Sequence, residues 1–125
     1  MEPFVYRARL FKVIDGDTID VILDLGFGLQ AGLDPHLPMR LRLLGVNTRE
    51  LHSSNPELRK LAKADMLSTV NWLAMADTLW DGSWPLLIRT QRDDAFGRYL
   101  ADVYAPPNEQ SLSDYLLDLG VPPYP

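Results

Sequence analysis

The sequence predicts an α+β, mainly β fold: a five-stranded barrel of the OB type, with one helix between the third and fourth strands and a short helix near the C-terminus. Three observations carry this. Apolar residues alternate with a period of two in five short stretches, and one long stretch between the third and fourth of them changes to steps of three and four. Ten prolines and eight glycines punctuate the chain between these stretches. Three strands, a helix, two strands and a short helix is the order of an OB-type barrel, which usually binds oligonucleotides or oligosaccharides. With 125 residues the chain is expected to form a single domain over 1–125.

Phe4 to Ile14 reads as the first strand and Asp17 to Leu25 as the second, joined as a hairpin by Asp15-Gly16. In the second strand Ile19, Val21 and Leu23 share one face, with Asp20 and Asp24 on the other. Residues 25–39 hold three glycines and two prolines and read as a long loop. Met39 to Val46 is the third strand. Ser54 with Glu57 fits a capping box, and Asn55 as cap with Pro56 at the first helical position fits equally well. Leu58, Ala62, Met66, Thr69, Leu73 and Ala76 then form the inner stripe of a helix running to about Asp77, ended by an Asp81-Gly82 turn. Trp84 to Thr90 and Arg98 to Ala105 are the last strands, and Ser111 to about Leu119 is a short helix closed by Gly120. Trp72, Trp80 and Trp84 are expected in the core.

The chain has no cysteine, which excludes disulfides and thiolate metal sites. Its N-terminus lacks a basic segment followed by an apolar one, and nowhere do about 18 apolar residues run uninterrupted. The expectation is a soluble protein with no membrane partner, intracellular or virus-encoded. Net charge is −5, which argues against a general nucleic-acid coat protein. The charge is uneven, however. Residues 99–125 hold four acidic groups and no Lys or Arg, so residues 1–98 are nearly balanced and leave room for a local basic site.

The stretch VIDGDTIDV, Val13 to Val21, crowds three carboxylates around one glycine. A hairpin turn alone does not need them. Three further pieces follow in order: RLLGVNTRE, Arg42 to Glu50; DAFGRYLADVY, Asp94 to Tyr104; and SLSDYLLDLG, Ser111 to Gly120. Together, from about Tyr6 to Gly120, they resemble the staphylococcal nuclease (thermonuclease) family, with 25–39 as an extension.

The resemblance implies that Asp17 ligates a catalytic divalent ion, most often Ca²⁺ in that family, with Mg²⁺ or Mn²⁺ as alternatives. Asp15 would support Asp17, Asn47 would stand as the partner ligand, and Thr48 would offer its carbonyl. Glu50 would serve the attacking water, and Arg42 and Arg98 would grip the scissile phosphate. The implied reaction is hydrolysis of DNA, and of RNA as a second substrate, at the P–O5′ bond to leave 3′-phosphate ends. Nucleic acid is the implied partner, with no obligate protein partner.

The chemistry asks for the same groups. Phosphodiester hydrolysis needs a cation to offset charge on the nonbridging oxygens, a positioned water, and donors that favour the transition state. Guanidiniums present a planar fork and stay charged. Oxygen ligands with no His or Cys among them select Ca²⁺ or Mg²⁺ over zinc.

Three positions depart from the family pattern. Asn47 replaces a second aspartate, which removes one negative charge and weakens metal binding. Arg49 replaces the proline before the glutamate, and Phe96 stands where a tyrosine is common. Taken singly, each residue has a plainer reading: Asp15-Gly16 as a turn, Arg42 on an exposed face with Arg40, Asp20 as a solvated charge. His36 and His52 read as loop residues, and Arg89, Arg92, Lys60 and Lys63 as solvated surface. Tyr124, in the closing Pro122-Pro123-Tyr124-Pro125, is placed either at an ordered or fraying chain end or near a nucleotide pocket. The competing function is a non-catalytic OB module that binds single-stranded nucleic acid or a protein.

Overall fold

Apolar alternation is translated into a closed sheet in the computed structural model of the chain, which describes residues 4–80, 82–92 and 99–124. The elements are β1 (Phe4–Asp15), β2 (Thr18–Gly26), β3 (Leu29–Ala31), β4 (Met39–Leu43), α1 (Pro56–Leu79), β5 (Leu86–Arg92), β6 (Tyr99–Tyr104) and α2 (Leu112–Asp118). The sheet runs β1-β5-β6-β4-β2-β3, and pairing of β1 with β2 closes five of these strands into a barrel. All neighbours are antiparallel except β4 and β6. This is the OB-type architecture expected, with one added strand.

Closure depends on the length of β1. Its first half pairs with β5 from Phe4 to Ala8, and Arg7 to Asp15 pair with β2. Register shifts between Leu10 and Lys12 and between Val13 and Asp15 bend it, as bulges do where a strand turns a barrel corner. The interior is filled by Ile19 and Val21 of β2, Leu41 and Leu43 of β4, Leu86 and Ile88 of β5, and Leu112 and Leu116 of α2, all fully buried.

Helix α1 starts at the second of the two caps that fit the sequence: the Asn55 side chain accepts from the Glu57 amide at 2.9 Å, with Pro56 in the first turn. Its buried residues are Ala62, Asp65, Thr69, Trp72, Leu73 and Ala76. Leu58 is exposed instead. Trp80 ends the helix in an extended conformation. It is not a core residue: it is 38% exposed, with the Arg7 guanidinium 4.2 Å from its ring centroid. Trp84 is half-buried under Arg9 at 4.8 Å. Asp81, of the expected turn, lies outside the described residues.

The expected 25–39 loop contains a strand. Gly26 pairs with Leu29, so Phe27 and Gly28 form a two-residue hairpin turn with φ of 54° and 74°. Positive φ at both central residues is the type I′ signature, usually filled by Asn-Gly rather than an aromatic. Phenylalanine at the first of these positions hid the hairpin from sequence reading.

Asp20 is also not a solvated charge. It is 3% exposed and takes a bidentate contact from Arg40, its cross-strand partner, at 2.9 Å from Nε and 3.1 Å from Nη2. The Arg40 side chain supplies the charge that lets Asp20 leave water.

Candidate functional site

The β1–β2 turn and the end of β4 meet at one end of the barrel. Asp15 pairs with Thr18, so the turn residues are Gly16 and Asp17 rather than Asp15 and Gly16. Gly16 is not needed for positive φ; a Cβ there would stand 2.8 Å from Cγ2 of Thr48. Glycine therefore serves the close approach of the 47–50 segment to the turn. The Gly16 carbonyl accepts from the buried Thr69 hydroxyl of α1 at 2.7 Å, and the Asp17 carbonyl accepts from the Leu43 amide at 2.8 Å. The turn is thus fixed to both helix and barrel.

Thr18 pairs with Arg42 across β2 and β4, which sets the Arg42 side chain beside Asp17. Both are buried, 8% and 7% exposed. Arg42 Nη2 lies 3.3 Å from Asp17 Oδ2 and donates to Asn47 Oδ1 at 3.2 Å, while Nη1 donates to the Val46 carbonyl at 3.3 Å. The Thr48 amide donates to Asp17 Oδ2 at 3.2 Å, and the Thr18 hydroxyl to Oδ1 at 3.1 Å. Arg42 is therefore not on an exposed strand face with Arg40.

The end of the chain completes this cluster. The Tyr124 ring lies 4.6 Å from the Arg42 guanidinium carbon. The tail is held by the Asn47 amide on the Pro122 carbonyl at 2.8 Å, the Tyr124 amide on the Gly45 carbonyl at 3.0 Å, and a bridge between Val46 and Pro123. It is a docked segment and not a fraying end.

Beyond Thr48 the chain turns outward along a cavity of about 290 Å³ lined by Asn47, Thr48, Arg49, Glu50, Ser53 and Leu58, with Pro122 opposite. Arg49 anchors this wall. Its amide donates to Asp65 Oδ2 at 3.0 Å and its Nη1 to Asp65 Oδ1 at 2.9 Å, while Nη2 reaches the Gly120 carbonyl at 3.3 Å. Where a proline would stiffen the segment by its ring, this chain uses an ion pair to α1. Asp65 was missed in the sequence although it carried a signal. It lies three residues after Ala62 and four before Thr69, on the helix's inner stripe, where a carboxylate needs a partner.

Asp15 Oδ1 accepts from the Gly16 amide at 2.7 Å. Burial raises the pKa of its carboxyl above the usual range; the Gly16 hydrogen bond opposes this, the negative charges of Asp17 and Glu50 add to it, and His52 lowers it. Asp15, Asp17 and Glu50 thus share one electrostatic neighbourhood. Asp17, Arg42, Asn47 and Thr48 are joined by direct hydrogen bonds, Glu50 stands on the adjoining cavity, and Arg98 lies outside the described residues, as do Asp94 and Phe96. His36 is exposed on the 25–39 segment, where its amide binds Asp34.

Among the described residues no group of three or more His, Asp or Glu is arranged to hold a metal ion. The oxygen donors that could hold one are Asp17 Oδ1 and Asn47 Oδ1, each with one hydrogen bond already accepted, and the Thr48 carbonyl. Asp17 Oδ2 is already occupied by two donors. An all-oxygen set with a single carboxylate fits a hard divalent cation held largely through water, and does not fit zinc. No protein-family model matches the chain, and no curated protein matches it in sequence.

Proposed function

We propose that this chain is a metal-dependent nuclease that hydrolyses phosphodiester bonds of DNA, with RNA as a second substrate, leaving 3′-phosphate ends. The observation that carries the reading is the convergence of Asp17, Arg42, Asn47 and Thr48. They come from two segments about 25 residues apart in sequence and interlock at 3.2–3.3 Å beside a cavity bearing Glu50.

In this reading Asp17, Asn47 and Thr48 would hold a divalent cation, and that cation would supply positive charge against the nonbridging phosphate oxygens. Arg42 has five N–H groups, of which three are engaged within the protein. The remaining two, on Nε and Nη1, are left for single hydrogen bonds to phosphate oxygens, with the guanidinium held in orientation by Asp17, Asn47 and the Tyr124 ring. Glu50 accepts the proton of the attacking water as the P–O5′ bond breaks. Its exposure at the cavity suits a base that must reach solvent.

The test is cleavage of single- and double-stranded DNA and of RNA with Ca²⁺, Mg²⁺ or Mn²⁺, using wild type and Glu50→Gln. The variant should slow cleavage while leaving DNA affinity nearly unchanged. A second reading, the non-catalytic nucleic-acid or protein-binding module, draws on the pairing of Arg42 with Asp17, which neutralises the cation within the protein. Binding without cleavage in every metal would establish it.

A further inference from the structure

The hairpin of β2 and β3 presents apolar side chains that the fold does not bury. Phe27, at its tip, is fully exposed and sits at φ 54°, a conformation bulky side chains rarely adopt. Asparagine or glycine would suit the turn better, so neither folding nor solubility accounts for phenylalanine there. Strand β3 is a sheet edge, paired with β2 alone among the described residues. Its residue Ala31 and the neighbouring Leu25 line an apolar groove of about 320 Å³ with Tyr6, Met39, Leu41 and Tyr99.

We propose that this face binds a second copy of the chain, the Phe27 ring of each copy entering the groove of the other. Three observations select that occupant. The groove is larger than the roughly 150 Å³ apolar cavity that holds a benzene ring, so a phenyl group fits. Phe4, Leu25, Phe27, Leu29, Leu33 and Leu37 are each more than two fifths exposed. Together they offer on the order of 700 Å², close to one partner's share of a standard interface. Finally, residues 25–33 carry no charge in a chain of net charge −5. Two copies can meet there without like-charge repulsion, whereas a nucleic acid or an anionic membrane would find no cation in that stretch. Each copy carries both a ring and a groove, so a reciprocal contact satisfies both at once and closes as a two-fold dimer rather than growing into a filament.

The test is sedimentation equilibrium of the full chain from micromolar to submillimolar concentration, for wild type, Phe27→Gly and Phe27→Asp. Wild type should reach twice the 14.2 kDa chain mass. Each variant should weaken the dimer by roughly 30-fold or more, as loss of an interface anchor does. Phe27→Gly should also melt no lower than wild type when both are monomeric, because glycine accepts the turn's φ. A wild type that stays monomeric throughout, a dimer that Phe27→Gly leaves intact, or a monomer that floats with neutral phosphatidylcholine vesicles through Phe27 would each overturn the proposal.

Discussion

Replacing Asp65 by alanine tests how the wall bearing Glu50 is held. The change removes the two bonds that Asp65 accepts from Arg49, at 3.0 and 2.9 Å, and leaves Arg49 only the 3.3 Å contact to Gly120. Breaking a fully buried ion pair costs about 3–5 kcal/mol, and an exposed one contributes about 0–1 kcal/mol. Here the aspartate side chain is 6% exposed and the arginine 24%, so water recovers part of the loss on the arginine side. The expected cost is about 2–3 kcal/mol. An unfolding entropy of about 2.1 cal/mol/K per residue over 125 residues converts this to a fall in Tm of about 8–11 °C. Thermal unfolding followed by circular dichroism reads it directly. The double variant Asp65→Leu/Arg49→Met should recover much of the loss, because it leaves no unpaired charge in the partly dry site. A fall of less than about 2 °C for Asp65→Ala would refute the reasoning, since it would put the pair in the class of solvated surface contacts.

Two further outcomes follow from single contacts. Gly16→Ala should lower stability by about 1–3 kcal/mol, because the new Cβ would lie 2.8 Å from Thr48 Cγ2; a hairpin glycine without that neighbour would lose little in the same melting experiment. Asp102→Asn should raise Tm at neutral pH. Burial, then repulsion by Asp114, raises the Asp102 carboxyl above the usual range, with Arg89 opposing. Stability from this group therefore falls as pH rises from the unfolded-state carboxyl value to the higher folded one. The advantage of asparagine should vanish in melts below the ordinary carboxyl range.

The strands and helices were legible wherever a period was carried by several residues. The inner stripe of α1 is an example: Ala62, Thr69, Leu73 and Ala76 are buried as read. What failed were positions decided by a distant partner. Asp20 reads as a solvated charge until Arg40 is seen across the strand pair. Trp80 reads as core until Arg7 covers its ring. The β2–β3 hairpin went unread because its turn uses phenylalanine where local preference asks for asparagine or glycine. The candidate site divides in the same way. Asp17, Arg42, Asn47, Thr48 and Glu50 were named together from resemblance and chemistry, and the structure brings them to one end of the barrel. The reason for Gly16, the Arg49–Asp65 clamp and the seat of Tyr124 against Arg42 depend on contacts between residues 16 or more apart in sequence, which no local pattern records.

Incubation of the purified chain with heat-denatured DNA in millimolar Ca²⁺, Mg²⁺ or Mn²⁺, with the product ends assayed for 3′-phosphate, tests the central claim most directly. Wild type should cut in at least one metal, Asn47→Asp should cut at lower metal concentration because it restores a carboxylate ligand, and Glu50→Gln should cut on the order of 100-fold more slowly at similar DNA affinity. Intact DNA in all three metals, for wild type and Asn47→Asp alike, would contradict the account.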